Sequence, residues 1–286
     1  MPTVADVSEV CDLAVRIMSA AVGVVIAVIV FILHDTVVFP IAIALIIGMM
    51  IFELLKAADC IKFLPASAAS IAYGVSVPLS YGFDAILPSY TNIYRLIAVL
   101  VIFFNFIMKH KEIRFEKAAY ILAVTVLVPS AMLTTMKVES MEYGLSLMIL
   151  GLCGAWIADS GAYFAGTFLG KHKLCPEISP KKTVEGFVGG ILTTGIVFVV
   201  YCLVYSRFIA DDEPDVNYIV AFLAGCVCAV IGTLGDLSAS MIKRQTGIKD
   251  YGKIMPGHGG VMDRFDSVLF VMPVFYSFLT LFDFYK

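Results

Sequence analysis

Nine apolar stretches, each near the ~20 residues that carry a helix across a bilayer, recur along this chain. They fall at about 14–33, 36–55, 63–83, 93–108, 118–136, 143–170, 186–206, 218–235 and 265–284. A soluble fold would need polar faces between them to meet water, and the composition leaves too few. Hydrophobic residues are 60% of the 286 and charged ones 15%, against about 45–50% and about 25% in soluble domains. Mean hydropathy is +0.93. The chain reads as an all-α, polytopic integral membrane protein. A net charge of −3 excludes a globally basic nucleic-acid binder. The seven cysteines form no CxxC and lie mostly in apolar runs, where a thiol behaves as a small hydrophobe. Residues 1–13 contain acids but no Lys or Arg, so the first run reads as a retained anchor and not a cleaved signal.

Orientation follows from the basic residues. With nine crossings, 16 of the 20 Lys and Arg fall on the N-terminal side and 4 on the other. The positive-inside rule then puts the N-terminus in the cytoplasm and the C-terminus outside. Nine of those cations lie between positions 171 and 264, in the two loops that flank the seventh and eighth crossings. Chemistry is expected there. Residues 1–140, about five helices, read as a transmembrane scaffold; residues 141–286, about four helices with cytoplasmic loops, read as the catalytic region.

The eighth crossing runs out through Gly235-Asp236-Leu237-Ser238-Ala239-Ser240-Met241-Ile242-Lys243-Arg244. On a helix, Asp236, Ser240 and Lys243 share one face. The chain continues through Lys249 and Asp250 and a Gly-His-Gly-Gly turn containing His258, Gly259 and Gly260, then re-enters at Asp263-Arg264-Phe265-Asp266. Both loop ends lie on one side, so Asp236 and Asp263 can meet across 27 positions. Carboxylates with many cations and few imidazoles suit Mg²⁺ and phosphate; Zn²⁺ would require more His or Cys. The glycines let backbone N–H groups approach an anion. A lone Asp at a helix start is usually a cap, and basic residues at crossing ends are usually topology anchors. Their coincidence in one 31-residue window favours a phosphate and metal site.

A second cluster runs from Trp156 through Asp159 and Tyr163 to Ser179-Pro180-Lys181-Lys182-Thr183-Val184-Glu185-Gly186. Asp159 stands in an otherwise apolar crossing, where an ionisable group is a functional candidate by default. Lys181 and Lys182, with Ser179 and Thr183, suit a polyphosphate. His172 and His110 read as solvated loop residues, and Glu53, one turn before Lys56, as an interfacial ion pair.

The segment 240–266, of the form SxxKRxxxxKDxGxxxPxHGGxxDRxD, resembles the signature of phosphatidate cytidylyltransferases, also called CDP-diacylglycerol synthases. The stretch 156–186, with its ISPKKTxEG core, is similar to a second shared segment of that family. The resemblance covers residues 143–286. Thr167 stands where the family has a cation. The resemblance implies transfer of a cytidylyl group from CTP to phosphatidate, giving CDP-diacylglycerol and pyrophosphate. It implies Mg²⁺ on Asp236 and Asp263, with two cations sharing these carboxylates or a K⁺ beside them, and Asp159, Asp250 and Asp266 completing or orienting the metal shell. Phosphate contacts fall to Lys243, Arg244, Lys249, His258 and Arg264, and to Lys181 and Lys182. It also implies a homodimer in a bacterial inner membrane, with the site open to cytoplasm and sideways to lipid. Competing readings are a CTP-dependent polyprenol or dolichol kinase, which needs an activated hydroxyl, and a secondary transporter, which predicts an inverted repeat that the chain lacks. A lipid-binding scaffold would not need the paired Asp.

Overall fold

A computed structural model of the protein describes residues 4–83, 90–210, 214–254, 257 and 259–285, with the backbone alone for residues 4–16. Among the described residues ten helices appear in order: α1 Val4–Ile32, α2 Val38–Ala57, α3 Leu64–Gly82, α4 Thr91–Met108, α5 Phe115–Glu139, α6 Gly144–Leu169, α7 Val184–Phe208, α8 Tyr218–Thr246, α9 Met262–Phe265 and α10 Val268–Leu281. Each apolar stretch has become helix, because in hydrocarbon a backbone must satisfy its own hydrogen bonds. Among the described residues, seven helical segments are long and apolar enough to cross a membrane. The apolar part of α1, Ile17–Ile32, is shorter. α3, with four serines, two glycines and Pro78, is not among the seven. The helices also wear apolar residues on their outer faces: Phe208 is 79% exposed and Ile219 74%. Water would not tolerate that coat; lipid does. The protein is a polytopic helical membrane protein.

The region between α6 and α7 holds an element that the apolar pattern does not announce. Strands β1 Lys173–Cys175 and β2 Ser179–Thr183 pair antiparallel, Lys173 opposite Thr183 and Cys175 opposite Ser179, with a bulge between. Among the described residues the chain is therefore helical with one short hairpin.

The chain divides into two compact units. The first comprises residues 1–130 and 246–264; its boundary falls one residue beyond Pro129, inside α5. Within it α2 buries Ile43, Ile47, Met50, Ile51 and Leu54, and Gly74 of α3 leaves room for Ile51, whose Cδ1 a Cβ there would strike. Ser70 of α3 and Thr125 of α5 share a buried hydrogen bond of 2.7 Å. The second unit comprises residues 131–245 and 265–286. Its helices approach one another over glycines, as membrane helices without a hydrophobic driving force between them tend to do. A Cβ on Gly190 would lie 2.7 Å from the Ala158 carbonyl, and one on Gly225 2.7 Å from that of Thr194. Gly151 makes room for Phe275 and Gly154 for Phe198.

Candidate active site

In the second unit, α6, the hairpin and the C-terminal half of α8 bring three charged residues together. Asp159 lies on α6, nearly three turns before its C-terminal end. Lys182 comes from β2 and Asp236 from α8. Lys182 Nζ stands 2.6 Å from Asp236 Oδ2 and 3.6 Å from Asp159 Oδ1. The ammonium bridges two carboxylates contributed by separate helices. Its side chain is 20% exposed and that of Asp236 25%, so the pair is screened less than a surface ion pair.

Each partner is placed by local structure. Thr183 ends β2 and caps α7, its Oγ1 accepting from Gly186 N at 3.1 Å. Gly166, Gly170 and Gly186 crowd that cap: a Cβ on Gly166 would lie 2.8 Å from Thr183 Oγ1, and one on Gly186 2.7 Å from the Ala162 carbonyl. Glu185 closes the hairpin from below, accepting from Lys171 N at 3.0 Å and His172 N at 3.2 Å, with His172 Nδ1 2.6 Å from its Oε1. His172 is thus paired with Glu185 and not simply solvated. Arg244 Nε donates to the Ile178 carbonyl at 3.5 Å, tying α8 to the same hairpin.

Asp266 follows α9 and is 7% exposed. Its Oδ1 accepts from Ser267 N at 2.7 Å. Asp236, Asp159 and Lys243 are all within electrostatic reach of it. What permits this is Gly235: a Cβ there would sit 2.9 Å from the Asp266 carbonyl and 3.0 Å from Ser267 Cα. A cavity of about 400 Å³ opens beside the cluster, lined by Asp159, Ser179, Lys181, Lys182 and Thr183 among others. Thr167 lines it too, its hydroxyl bonded to the Tyr163 carbonyl at 2.7 Å. Ser240 is half-buried on α8 and Lys181 exposed.

The remaining predicted site residues belong to the first unit. Lys249 and Asp250 are exposed in the loop after α8, and Arg264 is exposed in α9. Asp263 organises that loop: its Oδ2 accepts from Tyr251 N at 2.8 Å and from Gly260 N at 2.9 Å. Gly259 has φ +88°, a left-handed conformation suited to glycine. His258 lies outside the described residues. Two further carboxylates, to which the sequence assigns no chemistry, hold backbone in these regions. Glu185 sits inside the matched segment, so its position alone could have drawn attention. Glu53 had been paired with Lys56, but Lys56 Nζ stands over the Phe52 ring, while Glu53 is 1% exposed and accepts from Val261 N at 3.1 Å and Met262 N at 2.7 Å.

The donors are all oxygen, and an ammonium is already held between two of them. That chemistry fits Mg²⁺, which takes carboxylates, waters and phosphate oxygens.

Comparison with known proteins bears on this arrangement. The chain matches the model of the cytidylyltransferase family over residues 14–282. It is 39% identical over 188 residues to the phosphatidate cytidylyltransferase of Bacillus subtilis, covering 65% of this chain and 67% of that protein. It is 44% identical to those of Staphylococcus epidermidis over 136 residues and Staphylococcus aureus over 138 residues, in each case about half the length of the relative. With the family match spanning nearly every helix described above, this chain belongs to the cytidylyltransferase family.

Proposed function

We propose that this protein transfers a cytidylyl group from CTP to phosphatidate, releasing pyrophosphate and forming CDP-diacylglycerol. The observation that carries the reading is Lys182, from the ISPKKTxEG segment, lodged between Asp159 and Asp236 beside the 400 Å³ cavity, in a chain of this family. The relatives' name supplies the substrates.

The chemistry asks little of a base. A phosphate monoester loses its second proton near pH ~6, so the attacking oxygen of phosphatidate is already largely ionised at neutral pH. That oxygen attacks the α-phosphorus of CTP; the bond from this phosphorus to the bridging oxygen of the β-phosphate breaks, and pyrophosphate leaves with the electron pair. The obstacle is repulsion between an anion and a polyanion. Lys181, Lys182, Lys243, Arg244, Lys249, His258 and Arg264 are the cations we assign to remove it, with Ser179, Thr183, Ser240, Gly259 and Gly260 as further polar or backbone contacts. Asp236 and Asp263 are assigned to metal binding, and Asp159, Asp250 and Asp266 to its shell. Mg²⁺ bound there would screen the phosphate charges and stabilise the departing pyrophosphate.

Nine crossings with a cytoplasmic N-terminus are part of the same proposal, supported by the 16-to-4 distribution of Lys and Arg and by helix in each of the nine stretches. So are a homodimer, a bacterial inner membrane, a site facing the cytoplasm, and the split between a scaffold at 1–140 and a catalytic region at 141–286. To test the assignment, Asp236→Asn would be assayed for labelled CTP entering the lipid phase. Turnover should fall on the order of 10²-fold or more, as it should in chelator, while the variant still melts cooperatively as a folded protein. Full activity in the variant would remove Asp236 from the site.

A further inference from the structure

We infer that Glu53, on α2, is the positioning residue for the loop stretches 251–252 and 260–262 and, through them, for the Asp263 carboxylate. The inference rests on the proposed reaction only for what Asp263 does, not for how the loop is held.

A carboxylate that is 1% exposed on a membrane helix needs a reason. Here it has a bidentate one: Oε1 accepts from Val261 N at 3.1 Å and Oε2 from Met262 N at 2.7 Å. The loop is shaped around the same group. A Cβ on Gly252 or Gly260 would collide with the Glu53 carboxylate oxygens. Neither glycine has a positive φ, so what excludes a side chain at these positions is space and not backbone strain. Tyr251, beside Gly252, is buried at 4% exposure.

Asp263 holds the loop from its other side. Its Oδ2 accepts from Tyr251 N and Gly260 N, the neighbours of the two glycine and backbone contacts that Glu53 makes. Four backbone N–H groups between 251 and 262 therefore end on two carboxylates. The orientation of Asp263 depends on the positions of Tyr251 and Gly260, and these are set against Glu53. Lys249, Asp250, Gly259 and Gly260 are presented on the same loop. A side chain from the region that reads as scaffold thus fixes the loop carrying the densest set of phosphate and metal candidates.

Glutamine at this position keeps one acceptor but turns an NH₂ towards the second N–H; alanine keeps neither. The test compares Glu53→Gln and Glu53→Ala with the unaltered protein in two readouts. In hydrogen exchange, both variants should speed exchange of amides at 251–262 while the rest of the chain keeps its rates. In turnover with CTP and phosphatidate, kcat per folded molecule should drop on the order of 10²-fold for alanine, with glutamine recovering part of it. Gly252→Ala should be damaging alone and add less than its full effect on Glu53→Ala, whose missing carboxylate removes the collision. Faster exchange spread over the whole chain, or none in the loop, overturns the inference. So does a loosened loop with unchanged kcat. If the unaltered protein shows no cytidylyl transfer while exchange rises only in the loop, the assigned reaction fails and the clasp stands.

Discussion

Lys182 occupies the place between Asp159 and Asp236 that a bound cation would also favour. Two carboxylates from different helices repel, and the ammonium between them offsets that repulsion. Removing it has a defined consequence. Lys182→Met should lower the stability of the ligand-free protein by about 1–2 kcal/mol, between the values for exposed and fully buried pairs. Added Mg²⁺ should raise the melting temperature of the variant more than that of the unaltered protein, while turnover falls. A variant as stable as the original and indifferent to Mg²⁺ would show that Lys182 is not the counter-charge. Outside the membrane spans, the exposed Asp59 carboxylate is held below its ordinary range by hydrogen bonds from Lys62 and Lys117.

Among the elements, the long helices were legible because lipid requires continuous apolar runs, and each such run is helix. The charged face of α8 was legible too, since Asp236 and Lys243 lie on one unbroken helix. The hairpin was not. Its strands alternate no apolar residues; β2 is Ser-Pro-Lys-Lys-Thr, and what closes it is Glu185 reaching back 13 and 14 positions to His172 and Lys171. Glu53 was missed for a sharper reason. Lys56 one turn away offered a sufficient local partner, whereas its actual partners are 208 and 209 positions distant and are backbone groups, which leave no mark in a sequence. Gly235 is invisible in the same way, and it makes the element-scale prediction. Gly235→Val would drive a branched side chain into Asp266 and Ser267. Overpacking of this kind costs about 1–3 kcal/mol, and displacement of Asp266 should abolish turnover before the fold is lost. Melting and turnover measured together check it; retained activity would mean that the approach of α8 to Asp266 is dispensable.

For the molecule as a whole, the outer apolar coat and, among the described residues, seven helical segments of membrane length make it a membrane protein; the direction we propose for it rests on the distribution of Lys and Arg. A cysteine introduced at Lys173, in a background without the native cysteines, should react with an impermeant thiol reagent only from the cytoplasmic face. One at Asp215 should react only from the opposite face. Both reacting from one side would overturn the crossing count. The measurement that reaches the central claim is the fate of label from CTP. With phosphatidate as acceptor, label in the α-phosphate should enter the lipid phase and label in the γ-phosphate should leave as pyrophosphate, both stopping in chelator. Label from the γ-phosphate in the lipid, with CDP as the water-soluble product, would contradict the account and make the protein a kinase.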